Sequence, residues 1–338
     1  MWSATAAPEL AKVFVLINQK ETMNPSDIDS RLIRSRGALL GLAVGDAVGT
    51  TVEFKPRGSF TPLTDMVGGG PFRLLPGQWT DDTSMALCLG ASLLACGFDL
   101  GEQIQRYLRW YDHGYMSSTG TCFDIGAATA NALERYRVTG KPQAGSTDPN
   151  SAGNGCIMRL APVVIYYQDS PELAMRYAAE QSTTTHRAPE CLVACRLLAQ
   201  TLVRALQGRS KAEVLAPMVQ DQPQLHALSA IAQGAYTSKT REQIKGSGYV
   251  VNSLEAAFWC FIHTDNFKDC VLQAANLGDD ADTTAAIAGQ LAGAFYGETG
   301  IPASWRQKLC RAGDIGQMAE QLAVQNRGGV AIGRINLP

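Results

Sequence analysis

The stretch Thr80-Asp81-Asp82-Thr83-Ser84-Met85-Ala86-Leu87-Cys88-Leu89-Gly90-Ala91-Ser92-Leu93-Leu94-Ala95-Cys96 opens on two acids between two threonines and then turns apolar. From Asp82 to Cys96 it is rich in Ala, Leu and Met without period-two alternation, which predicts a buried helix rather than a strand. The same composition recurs outward along the chain. Gln103 to Tyr111, Ala127 to Tyr136, Pro189 to Gln207 and Thr283 to Tyr296 read as helices, with Pro189 suited to a first turn and Gly208 and Gly297 to C-terminal caps. Upstream, Ser26-x-x-Asp29 has the form of a capping box and opens a helix whose glycines Gly41, Gly45 and Gly49 make a smooth face for close packing.

Strand signals are few and short: Val13 to Ile17, Val163 to Tyr167 and Gly248 to Val251. The expectation is an all-α fold, a compact multi-helix single domain over residues 27–338, with residues 1–26 as an N-terminal extension. Gly140 to Gly155 is the expected irregular loop, and Gln220 to Pro223 a linker.

Composition narrows the function. The 338 residues exclude a small stapled scaffold. With 29 Lys plus Arg against 31 Asp plus Glu there is no basic surplus for a phosphate backbone, so nucleic acid is not an expected partner. No apolar run reaches the roughly 18 residues that a membrane span needs, so no membrane partner is expected either. Nine cysteines, none in a C-x-x-C pair, and no secretory signal in the first thirty residues predict free thiols in a reducing cytoplasm.

The chemistry resides in two acidic clusters, each ahead of an apolar helix: Thr80-Asp81-Asp82-Thr83 and Asp279-Asp280-Ala281-Asp282-Thr283-Thr284. Either alone is explained by helix capping, since a helix N-terminus favours carboxylates. If the two helix starts meet, at least four carboxylates gather with two or three hydroxyls, and cations must neutralise them. Carboxylate and hydroxyl oxygens suit hard Mg2+ or Mn2+, and bridging carboxylates commonly hold two such ions, so a binuclear metal cleft is expected.

Taken in order, Gly45-Asp46-Ala47 with Glu53, Thr80-Asp81-Asp82-Thr83, Gly120-Thr121-Cys122-Phe123-Asp124-Ile125-Gly126, Gly153-Asn154-Gly155 with Met158-Arg159, Thr185-His186 and Gly278-Asp279-Asp280-Ala281-Asp282-Thr283 resemble the motifs of the ADP-ribosylglycohydrolase family. The resemblance is closest to its bacterial dinitrogenase-reductase-activating branch and covers about residue 30 to about residue 300. It implies an all-helical fold, two Mg2+ or Mn2+ ions, and hydrolysis of the N-glycosidic bond between ADP-ribose and an arginine side chain of a modified protein. It also implies Thr80, Asp81, Asp82, Asp280, Asp282 and Thr283 as metal ligands, Asp124 and Glu53 as catalytic carboxylates, and Asn154, Gly155, Met158, Arg159 and His186 at the substrate. Asp279 stands where many relatives have glycine and is not counted as a ligand.

The residues by themselves leave alternatives. Asp124 could cap a helix starting near Ile125, Glu53 could be a solvated loop acid before Lys55, and Gly153-Asn154-Gly155 could be a plain turn or a loop whose N–H groups face a diphosphate. His186 could cap the helix at Pro189, and Tyr249 could be core or could stack on a base or ribose. Cys191 and Cys195, one turn apart, read as core neighbours. A second reading is an immunity protein that neutralises an ADP-ribosyltransferase toxin through residues 1–26, whose apolar run Val13 to Ile17 could add to the toxin as a strand or plug.

Overall fold

Four glycines one turn apart, Gly37, Gly41, Gly45 and Gly49, run along helix α1 (Pro25–Gly49) and pack on helix α12 (Ala281–Tyr296). The computed structural model describes residues 25–219 and 222–325. A Cβ at Gly41 would sit 2.3 Å from the Gly289 carbonyl oxygen, and one at Gly289 would sit 2.1 Å from that of Gly41. The partners of the four glycines step backwards through α12, from Gly293 to Gly289, Ala285 and Ala281, so the two helices are antiparallel at backbone contact. The C-terminal end of α1 is thereby fixed beside the N-terminal end of α12. The sequence reading identified three of these glycines; Gly37 extends the stripe by one turn.

Between these helices the chain adds α2 (Asp81–Cys96), α3 (Leu100–His113), α4 (Ala127–Thr139), α5 (Ala161–Tyr166), α6 (Pro171–Ser182) and α7 (Pro189–Leu206). It continues through α8 (Lys211–Val214), α9 (His226–Ala232), α10 (Val250–Ile262) and α11 (Phe267–Ala275), and closes after α12 with α13 (Ala303–Lys308) and α14 (Ala312–Gln325). The described residues contain no strand, only three isolated bridges. The helix signals of α2, α3, α4, α7 and α12 lie where the sequence places them, and Gly208 and Gly297 follow their helices with φ of +73° and +72°. The expected loop from Gly140 to Gly155 is irregular apart from a single 3-10 turn, Pro149–Ser151.

Two strand expectations are corrected. Val163 to Tyr167 falls mostly within helix α5, because Val163, Val164 and Ile165 are buried on every side, and a short apolar run carries no period that separates a buried strand from a buried helix. Gly248 to Val251 is extended only as far as Tyr249, which pairs once with Gly153 before α10 begins at Val250. The third, Val13 to Ile17, lies outside the described residues, as does the N-terminal extension apart from Pro25 and Ser26, which begin α1.

Candidate active site

The antiparallel α1/α12 pair sets the first geometry: Asp46 near the end of α1 and Asp282 in the first turn of α12 come together with Asp82 in the first turn of α2, ligand oxygens within 4.8 Å of one another. Two further triplets of carboxylates meet the same criterion, Glu53 with Asp280 and Asp282, and Asp81 with Asp124 and Asp282. Asp282 belongs to all three. Seven carboxylates thus converge on two helix N-termini, and the two distant acidic clusters do meet.

Hydroxyls lock the clusters to each other. Thr80 donates to Asp282 Oδ2 at 3.1 Å, and Thr283 donates to Asp82 Oδ1 at 3.1 Å. Asp46 does the capping that the sequence reading assigned to the clusters themselves. Its carboxylate accepts the Thr80 and Thr83 backbone N–H groups at 2.9 and 3.0 Å and the Thr83 hydroxyl at 2.6 Å, although it lies on a different helix. Asp81 and Asp82 are thereby released from capping α2. Asp46 was quoted in the sequence motif but not given a role; a lone acid in the glycine-faced, otherwise apolar end of α1 is the signal that marks it.

Like charges this close in a buried site cannot all be ionised. Burial pushes the Asp124 carboxyl up to about 7 and that of Glu53, also repelled by Asp124, up to about 9. Burial and neighbouring acids drive Asp81, Asp82 and Asp282 well above the usual carboxylate range. Asp82 Oδ2, Glu53 Oε2 and Asp124 Oδ2 are buried with no hydrogen-bond partner. Orphaned hard oxygens among clustered acids are the donor set of a divalent cation site, and the residues fit one.

The alternatives for the two catalytic candidates resolve. Asp124 does not cap α4, which begins at Ala127 behind Gly126; it stands at φ +60° with its carboxylate in the cluster. Glu53 is 4% exposed and so is no solvated loop acid. Its loop is tied to the second acidic cluster by backbone bonds from Phe54 N–H to Asp279 O and from Asp279 N–H to Lys55 O, at 2.7 and 2.8 Å. Asp279 itself is exposed at φ +57°, a left-handed position that glycine adopts without strain and that Asp tolerates.

The expected substrate residues divide into two groups. A cleft of about 670 Å3 beside the carboxylates is lined by Ala128, Ser151, Gly153, Glu190, Gly248 and Tyr249, among others. Tyr249 is 38% exposed there and donates its hydroxyl to Glu190 at 2.7 Å. Asn154 donates its side-chain amide to Asp280 Oδ2 at 2.6 Å, joining the cleft loop to the carboxylates. The N–H groups of Gly153 and Asn154 already donate to Ser151 O and Gly248 O, so they do not face a diphosphate as expected. Met158, Arg159 and His186 lie behind this surface, and the half-buried Gly155 packs on the His186 ring. Met158 is core, and Arg159 is fully buried, donating to Gln181, Thr184 and Thr185. Its burial, with Nη1 against the Met85 sulfur, keeps the guanidinium away from the cleft surface. His186 shares a hydrogen bond between Nδ1 and the Thr185 hydroxyl, its ring backs Gly153 and Gly155, and burial lowers its pKa to about 4, so it is neutral. Cys191 and Cys195 are fully buried, and all nine cysteines are free.

Comparison with known proteins places this geometry in context. A family model described as ADP-ribosylglycohydrolase matches residues 27–329. The ADP-ribosylarginine hydrolase Tri1 of Pseudomonas putida (strain GB-1) is 49% identical over 296 residues, covering 87% of this chain and 79% of the relative. The ADP-ribosyl-[dinitrogen reductase] glycohydrolase of Rhodospirillum rubrum is 35% identical over 286 residues, covering 82% and 90%. A solved chain described as an ADP-ribosylglycohydrolase-related protein complex superposes with a TM-score of 0.77 at 42% identity, covering 88% of this chain and 99% of that one.

Proposed function

This chain belongs to the ADP-ribosylglycohydrolase family, and from that premise we propose how its site removes ADP-ribose from the arginine side chain of a modified protein. The enzyme is a hydrolase of the ADP-ribosylarginine type. The observation that carries the mechanism is the meeting of Asp81-Asp82 with Asp280 and Asp282 around orphaned carboxylate oxygens.

We assign Thr80, Asp81, Asp82, Asp280, Asp282 and Thr283 as ligands of two Mg2+ or Mn2+ ions, which when bound supply Lewis acidity toward the ribose diol and the attacking water. Hydrolysis breaks the bond from the anomeric carbon to a guanidinium nitrogen and joins that carbon to the water oxygen. The leaving nitrogen takes the bonding pair and departs as neutral guanidine, which takes up the proton removed from water. Asp124, with its carboxyl held near neutrality, is the proton carrier, and Glu53, whose carboxyl is pushed up to about 9, is the second carboxylate beside the oxocarbenium-like anomeric carbon. Tyr249 and Gly153 bound the cleft that takes the ADP-ribose, and Asn154, next to Gly153, ties its loop to Asp280. No helix among the described residues is long and apolar enough to cross a membrane, and the free cysteines support a reducing cytoplasm.

A toxin-neutralising role for residues 1–26 falls almost wholly outside the described residues, and no observation within them favours it. The experiment is turnover of arginine- and serine-modified proteins with Mg2+ or Mn2+. Release of ADP-ribose from arginine, lost in Asp81→Ala, is expected; no release from arginine with either ion overturns the reading.

A further inference from the structure

Each catalytic carboxylate has a phenylalanine as its chain neighbour, Phe54 after Glu53 and Phe123 before Asp124. Both rings close on a third, Phe72: Phe54 edge-on at 6.4 Å and Phe123 tilted at 5.2 Å. Phe72 is carried by a tight turn closed by two backbone bonds between Gly69 and Leu74, at 2.7 and 2.9 Å. The turn is seated on the Glu53 loop, with Thr51 donating to Gly68 O at 3.1 Å and Gly70 so close that a Cβ would meet Thr50 O at 2.0 Å.

This aromatic group is not core. Phe54 is 64% exposed while the adjoining Glu53 is 4% exposed, so the two neighbours diverge, one inward to the carboxylates and one outward to solvent. Phe54 holds a left-handed φ of +60°, a strained conformation for a bulky residue. None of the three rings lines the cleft of about 670 Å3 beside Asn154 and Tyr249. An apolar wall next to seven clustered carboxylates, apart from the space for ADP-ribose, suits one chemistry, a planar delocalised cation that stacks on aromatic faces. A guanidinium is such a group.

We propose that Phe54, Phe72 and Phe123 form the subsite for the arginine guanidinium and side chain of the modified protein. Phe54 and Phe72 hold the leaving group against the anomeric centre, and Phe123 orients the Asp124 loop by packing on Phe72. The subsite rests on the arginine-hydrolase reading above.

The test uses the full-length, metal-loaded protein with an ADP-ribosylarginine peptide as substrate and free ADP-ribose as a binding probe. Phe54→Ala keeps the backbone N–H bond to Asp279 and exchanges one residue strained at positive φ for another, so the fold is retained. Its KM for the peptide is expected to rise about 3–10-fold, the loss of one aromatic cation contact, with the ADP-ribose Kd changed less than about 2-fold. Phe54→Tyr is expected to restore KM. An unchanged KM in Phe54→Ala overturns the subsite, as does an ADP-ribose Kd that rises in parallel, which would put the rings on the nucleotide. A wild-type protein inactive on arginine sinks the hydrolase reading itself; an active wild type with an indifferent variant sinks the subsite alone.

Discussion

Thr283 donates its hydroxyl to Asp82 at 3.1 Å across 201 residues of chain, and Thr80 donates to Asp282 at 3.1 Å in the opposite sense. Each acidic helix start therefore orients a carboxylate of the other. Removing the Thr283 hydroxyl in Thr283→Val leaves volume nearly unchanged but frees Asp82 to turn. We expect metal affinity and kcat to fall about 10–100-fold, the cost typical of losing a group that ligates or orients a ligand, with Tm of the metal-free protein little changed. Calorimetric titration with Mn2+ alongside kcat checks this; full metal affinity in Thr283→Val would dismiss the cross-link as incidental.

Without metal, the cluster makes the fold sensitive to alkali rather than acid. The Asp124 carboxyl lies at about 7 and that of Glu53 at about 9 in the folded chain, against 3.8 and 4.5 ordinarily. Their contribution is whole below those ordinary values and is lost as pH rises through the folded ones, because the folded state then holds protons that the unfolded chain has released. Tm of chelated protein should fall steadily between about pH 5 and about pH 9. Saturating Mg2+ should flatten the slope, since cations replace the protons. A chelated Tm that rises over this interval would contradict the buried charge.

Metal uptake is then a proton exchange. Binding near pH 7 should release protons from the cluster, seen as a binding enthalpy that varies with the ionisation enthalpy of the buffer. The release should shrink in Asp124→Asn, which removes one of the raised carboxyls. Buffer-independent enthalpy would mean that the carboxylates are already ionised.

The α1/α12 contact predicts a purely structural variant. A Cβ at Gly37 would come within 2.2 Å of Gly293 O and 2.6 Å of the Gly297 carbonyl carbon, all backbone that cannot rotate aside. Gly37→Ala should destabilise by about 1–3 kcal/mol or more by forcing the helices apart, read from denaturant midpoints. Because Gly37 is about two and a half turns from Asp46 along α1, metal affinity of the folded fraction should survive.

What the sequence made legible follows from locality. Helix composition, the two acid-hydroxyl clusters and the glycine stripe are short-range patterns, and each has its counterpart in the structure. Asp46 acquires its capping role only when α1 meets α2, and the three phenylalanines become one surface only when a turn at residues 69–74 folds over residues 50–54. Val163-Val164-Ile165 misled for the converse reason: burial on all sides erases the periodicity that distinguishes helix from strand. Arg159 and His186 were marked by their motif, but only packing shows that they stand behind the cleft rather than in it.

That placement gives Arg159 a support role with a measurable signature. Its guanidinium is fully buried over the Tyr107 ring, 4.9 Å from the centroid, and donates to Gln181 at 3.1 Å and to Thr185 at 2.7 Å. Thr185 in turn shares a hydrogen bond with His186 at 2.8 Å, and the His186 ring backs the glycines on either side of Asn154. Lysine keeps the charge but cannot reproduce the planar fork, so Gln181 and Thr184 lose their donor in a dry environment. Arg159→Lys should cost about 1–3 kcal/mol of stability, the penalty for buried polar groups left unpaired. If Arg159 acts only through this chain, the folded variant should weaken ADP-ribose binding modestly and in proportion to His186→Ala, and the double variant should be no worse than the more damaging single one. A guanidinium that touched the ligand would instead give a larger loss in Arg159→Lys that adds to that of His186→Ala.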